Sequence, residues 1–161
     1  MTLLPLSLLV ALGGAGGALT RFWIGQGVVR LLGAPAPWAT LTVNVVGCAL
    51  AGVFFAWASV REDTASVHAL VLVGFLGGLT TFSAFSLDAL GLWLRGQERI
   101  ALIYVLANVL LSLAAAASAF ALARRLLYPD VSRSDSPDIC DVTSPVNALS
   151  RVHRATQLWL F

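Results

Sequence analysis

The sequence predicts an all-α integral membrane protein with four spans, and three observations carry that expectation. The chain is 58% hydrophobic and only 11% charged, with no lysine among its 161 residues, whereas a water-soluble domain is about a quarter charged. Its charges leave four long gaps, at residues 1–20, 31–60, 64–87 and 100–123, each reaching the roughly 20 residues that cross a hydrocarbon core. Helices must fill those gaps, because lipid offers no partner to an unpaired peptide group.

The first span runs from Leu3 to Leu32. Its opening, MTLLPLSLLV, lacks the positive segment that begins a cleaved signal peptide, and its apolar pattern continues past Gly17 to Val29, so a retained span is expected. The stretch LGAPAP, residues 32–37, forms a turn rich in proline and glycine. The second span runs from Trp38 to Val60 and is followed by the polar REDT. The third runs from Ser66 to Leu94, then RGQER, and the fourth from Ile100 to Tyr128. Residues 1–128 thus form one four-helix transmembrane domain. Beyond Pro129 the chain is polar, rich in Ser and Asp and aperiodic, and residues 129–161 are expected to be a disordered tail.

The third span is too long for a bilayer. Its 29 residues would extend about 43 Å as a helix, against a core of about 30 Å. It must tilt, protrude or break. The run GGLTT, residues 77–81, is where a break costs least, because glycine accepts unusual backbone angles.

Four spans place both termini on one side. Near the spans that side carries Arg61, Arg124 and Arg125, and the other carries Arg30, Arg95 and Arg99. Equal counts leave the positive-inside rule without a preference. A chain with no preference inserts both ways round, and two copies of opposite orientation form an antiparallel homodimer about a twofold axis in the membrane plane. The alternative is that Arg133, Arg151 and Arg154 of the tail hold it inside.

Polar residues recur inside the spans at helical spacing. Gly13, Gly17 and Arg21 share one face of the first span. The glycine pair permits close helix approach. Arg21 either faces a wet vestibule or snorkels to the interface, and in both cases it is a fixed positive charge. Thr40, Asn44 and Cys48 form a second stripe at steps of four. An unpaired buried amide costs roughly 2–7 kcal/mol, so Asn44 points into the bundle, either bonding a neighbouring helix or offering its N–H groups to an anion. Tyr104, Asn108 and Ser112 form a third stripe, all hydrogen-bond donors. In the third span Thr80 and Ser83 lie on one line, Phe82 and Ser86 on the next, with Phe85 one turn from Phe82.

Absences narrow the chemistry. Asp88 is the one acid inside the spans and sits near the end of the third. Proton-coupled exporters and cation pores depend on intramembrane carboxylates. Neutral donors, an arginine and positive ring edges suit a small anion instead. Cys48 and Cys140 make no disulfide framework, and no Cys/His spacing resembles a zinc site. No nucleophile–base pair or phosphate loop is visible, so no enzyme activity is expected.

The stretches GGAGGALTRFW, TLTVNVVGCALAG and GFLGGLTTFSAFS resemble the three signatures of the fluoride channel family, Fluc or CrcB. The likeness covers residues 1–128, and the Gly-Gly-x-Thr-Thr-Phe-Ser run is its most specific part. It implies a passive, fluoride-selective channel that exports cytoplasmic fluoride, inserted as a multi-pass protein of the inner (plasma) membrane. It also implies a dual-topology antiparallel homodimer with a broken third helix. Carried over by motif, Asn44, Phe82, Phe85, Ser83, Ser86 and Tyr104 line the fluoride pathway and Arg21 stands at its vestibule. Backbone carbonyls of Gly77 and Thr80 from both subunits would hold a central structural sodium ion. Ala84 stands where the family often has threonine and Cys48 where serine is common. The alternatives are a small dual-topology multidrug exporter, which lacks its expected acid here, and a non-conducting membrane assembly protein, which needs no polar stripes.

Overall fold

The computed structural model describes residues 3–33, 36–61 and 64–128. The expected tail, 129–161, lies outside the described residues. Helix α1 spans Leu3–Leu32 and α2 spans Ala36–Ala58. Helix α3 covers residues 65–79, α-helical at Ala65–Val67 and Gly77–Leu79 and wound as a π-helix over His68–Leu76. Helix α4 spans Phe82–Leu94 and α5 spans Glu98–Leu127. Four stretches are long and apolar enough to cross a membrane, Leu4–Leu31, Ala36–Ala58, Ala65–Leu94 and Glu98–Leu127. Among the described residues every element is a helix, and the protein is a multi-pass membrane protein.

Helix ends follow local chemistry. Gly33 takes a left-handed φ of 62° directly after α1, the position where a side chain would be strained. Helix α2 begins two residues before the sequence expectation, since Pro37 sits in its first turn, where a missing N–H costs no helical bond. Helix α4 closes in a Schellman motif. Gly96 (φ 74°) donates its N–H to the Trp93 carbonyl at 2.9 Å, and Gln97 donates to the Leu92 carbonyl at 3.0 Å. Glu98 in the first turn of α5 and Arg124 and Arg125 in its last complement the helix dipole.

The spans pack through small residues rather than through a large apolar core. Between helices in lipid, attraction comes from close van der Waals approach and hydrogen bonds. On α1, Gly13 lies against Gly74 of α3, Gly14 against Gly78, and Gly17 against the backbone of Phe75 and Leu79. A Cβ on Gly13 would overlap the Leu70 carbonyl and lie 2.8 Å from the Phe75 nitrogen. One on Gly17 would overlap the Phe75 carbonyl, and one on Gly78 would come within 2.5 Å of the Gly14 carbonyl. On α2, Gly52 meets the Ala116 backbone of α5, and Gly47 meets the Thr80 methyl. The buried apolar residues are few, with Leu79, Val43 and Ala56 the most enclosed. Phe85, Leu92, Ala101 and Tyr104 form one cluster across α4 and α5. Large apolar side chains such as Leu8, Leu12, Leu19, Leu110 and Leu113 face outward, as lipid contact requires. Residues 1–123 form one compact unit, and a second begins at Arg124, where the Tyr128 N–H bonds the Arg124 carbonyl at 2.9 Å.

Between α3 and α4, Thr80 (φ −78°, ψ 155°) and Thr81 (φ −150°, ψ 121°) are extended. Gly77 and Gly78, expected from sequence to carry the irregular backbone, are helical. The threonines take the extended angles because their β-branched side chains suit them, while Gly78 serves the contact with α1.

Candidate functional site

All the polar groups of Thr81, and the hydroxyl and N–H of Thr80, have specific partners. The Thr81 hydroxyl caps α4 by accepting the Ala84 N–H at 3.2 Å, the usual role of threonine at this position. It also bonds the Ser83 hydroxyl at 3.2 Å. Asn44 of α2 grips the Thr81 peptide from both sides. Its Oδ1 accepts the Thr81 N–H at 2.8 Å, and its Nδ2 donates to the Thr81 carbonyl at 3.1 Å. The second Nδ2 proton goes to Oδ1 of Asn108 on α5, also at 3.1 Å. The Thr80 hydroxyl and N–H both donate to the Leu76 carbonyl at 3.0 Å.

This pattern releases two carbonyls. The Thr81 N–H serves Asn44 in place of the Gly77 carbonyl, and the Ala84 N–H serves the Thr81 hydroxyl in place of the Thr80 carbonyl. Both released groups are neutral oxygen acceptors, and Gly77 is exposed.

An open groove of about 290 Å³ runs beside the extended pair. Asn44, Cys48, Thr80, Thr81, Phe82, Phe85, Asn108 and Ser112 line it, with Val109 and Leu113. Two of its donors, Asn108 Nδ2 and Ser112 Oγ, are buried with no hydrogen-bond partner. Leaving such a group unmet costs about 1–3 kcal/mol. The rings continue the line. Phe82 and Phe85 have centroids 5.3 Å apart, and Phe85 and Tyr104 5.6 Å. Beyond them the Asp88 carboxyl accepts the Thr40 hydroxyl at 2.6 Å and the Tyr104 hydroxyl at 3.3 Å.

Of the residues expected on the pathway, the groove brings together Asn44, Phe82 and Phe85, and it includes Thr80. Tyr104 is buried one ring further on, against Phe85. Ser83 is exposed beside Thr81, and Ser86 is exposed with its hydroxyl turned back to the Phe82 carbonyl at 2.9 Å. Arg21 is half-buried on α1 and does not line the groove. The sequence expectation left out Thr81, Asn108, Ser112, Thr40 and Asp88 as site residues. The stripes at steps of four contained Thr40, Asn108 and Ser112. Thr81 was legible as a capping threonine before an apolar run. Asp88 had only its isolation as a signal.

The fold and the groove together define a small multi-pass membrane protein with a crevice between its spans, lined by aromatic, aliphatic and neutral polar side chains. Residues 8–120 match the family model of the CrcB-like protein, Camphor Resistance (CrcB). A fluoride-specific ion channel FluC of Rhizobium leguminosarum bv. trifolii is 52% identical over 122 residues, covering 74% of this chain and 97% of the relative. The protein of the same name from Agrobacterium fabrum is 44% identical over 119 residues, covering 73% and 95%. One from Saccharophagus degradans is 45% identical over 131 residues, covering 78% and 95%. The chain belongs to the CrcB family, a family of ion channels and not of enzymes.

Proposed function

We propose that this chain is a fluoride-selective channel of the inner membrane that lets cytoplasmic fluoride leave passively, down its own gradient. The pair of buried, unpartnered donors on α5 carries the reading. Asn108 and Ser112 belong to the lining of a groove that also holds Phe82 and Phe85, and Asp88, an acid inside the third span, does not line it. Electrostatic attraction scales inversely with distance. A small anion therefore gains more from fixed N–H and O–H groups than a larger halide does. Ring edges add positive quadrupole without a competing acceptor. The names of the relatives, fluoride-specific ion channels, support the same ion.

The working unit is an antiparallel homodimer. Phe82 is 77% exposed in the single chain, and Ser83, Ser86 and Gly77 are exposed beside it. A hydroxyl-bearing, ring-lined face open to lipid is a poor ion path. A second copy of opposite orientation would cover it, and the balanced arginines permit that orientation. The extended pair then acts as a break in the third span near the dimer axis.

The released Gly77 and Thr80 carbonyls fit a structural sodium ion, since hard cations take neutral and anionic oxygen ligands. Such an ion would supply a fixed positive charge at the dimer centre. Asn44 and the Thr81 cap hold the backbone so that these carbonyls stay turned away from helical donors.

The test is fluoride efflux from proteoliposomes, read with a fluoride electrode. Fluoride should leave without a proton gradient, chloride should be retained, and Phe82→Ile should abolish flux. Equal passage of chloride and fluoride by the wild type would overturn the selectivity claim.

A further inference from the structure

The amide of Asn108 has two faces of opposite polarity, and which one meets the groove decides whether the groove attracts or repels an anion. We propose that a hydrogen-bond relay running from the Thr81 peptide through Asn44 fixes that choice, making Asn108 a positioning residue that keeps an N–H rather than a carbonyl on the groove side of its amide. The relay is dictated link by link. The Thr81 N–H can only donate, so it must meet an oxygen, and Asn44 Oδ1 lies 2.8 Å away. The Thr81 carbonyl can only accept, and Asn44 Nδ2 lies 3.1 Å away. These two bonds leave the Asn44 amide one orientation. Its remaining Nδ2 proton then needs an acceptor, and the Asn108 Oδ1 supplies it at 3.1 Å. With Oδ1 held there, the Asn108 Nδ2 is turned away from Asn44 and is the unpartnered donor beside the groove. Asn108 is 5% exposed and Asn44 7%, so bulk water does not compete for either amide.

The consequence reverses the simple assignment of roles. Both N–H groups of Asn44 and its oxygen are engaged within the protein. Asn44 sets the polarity of the pathway without presenting a free donor to it. A reversed Asn108 amide would place two N–H donors against the Asn44 N–H and turn a carbonyl oxygen toward the guest. Such a mismatch of buried donors disfavours the reversed state and keeps it a minor one.

The proposal rests on the channel reading only for its flux readout, so two measurements are made on the full chain in detergent and in proteoliposomes. Hydrogen exchange of the Thr81 amide reports the relay. Fluoride efflux reports the polarity of the groove. Asn108→Leu removes the acceptor and the donor together. It is expected to quicken Thr81 exchange about tenfold, the equivalent of about 1.4 kcal/mol, and to lower efflux. Asn108→Asp keeps an oxygen for Asn44 but presents acceptors to the groove. It is expected to leave Thr81 as protected as in the wild type while efflux falls. If Asn108→Leu gives no folded protein by size exclusion and circular dichroism, Asn108→Ser makes the exchange test. Its side chain is too short to reach Asn44. Unchanged Thr81 exchange when the acceptor is removed would overturn the relay. Wild-type efflux in Asn108→Asp would overturn its control of polarity. A wild type that carries no fluoride would sink the channel reading instead, and the exchange measurements would still decide the relay.

Discussion

Thr81 shows how much a single side chain settles here. Its hydroxyl caps α4, its peptide anchors Asn44, and its extended angles separate two helices. Thr81→Val keeps the β-branched shape and loses the cap. Loss of a threonine cap costs about 1 kcal/mol, and an orphaned N–H within a membrane adds to that cost. The expected outcome is a lower Tm in detergent, restored by Thr81→Ser, whose hydroxyl can accept the same Ala84 N–H. At this scale the sequence was partly legible. The spacing put Asn44, Asn108 and Tyr104 on inward faces, and all three are buried. It left open whether Asn44 bonded a neighbour or faced an ion, because a spacing gives direction along one helix and nothing about the opposite wall. The distances to Thr81 and Asn108 give the first answer.

At the scale of elements, the glycines of α1 and α3 act as a pair of matched surfaces. Gly13 and Gly17 were expected to allow close approach, and they do so against the α3 backbone, where Gly74 meets Gly13 and Gly78 meets Gly14. The second pair was hidden in the sequence by the same run that suggested an irregular backbone. Gly17→Leu is expected to prevent a stable fold. The new carbons would meet the Phe75 carbonyl and the Leu79 nitrogen, and backbone atoms of packed helices cannot move aside. A loss of the monodisperse size-exclusion peak checks it. Gly27→Ala is the control on the same helix. Nothing lies within 4 Å of its added carbon, and alanine is the better helix former by about 1 kcal/mol, so yield and Tm should be kept.

For the whole molecule, the open side of the groove sets the expectation. A single chain leaves Phe82 77% exposed, so flux should require two copies of opposite orientation. Cross-linking of single-cysteine variants in membranes should capture neighbours whose matching loops lie on opposite faces. Capture of same-way-up neighbours alone would refute the arrangement. Efflux should also depend on sodium, because the released Gly77 and Thr80 carbonyls would otherwise repel one another on the dimer axis. Dialysis against a sodium-free buffer should lower flux and thermal stability together, with larger monovalent cations restoring neither.

The sequence alone determined that the chain has four stretches able to cross a membrane. Runs of apolar residues long enough to span a bilayer have no other stable place, and lipid allows such runs only helices. It also marked which faces were inward, since polar side chains at steps of four must meet one another. Tertiary structure alone decided what those side chains meet. The grip of Asn44 on the Thr81 peptide, the bond to Asn108 and the release of two carbonyls join residues 37 and 64 positions apart. Contacts of that kind follow from how helices are set against each other, and the periodicity of any one helix carries no record of it.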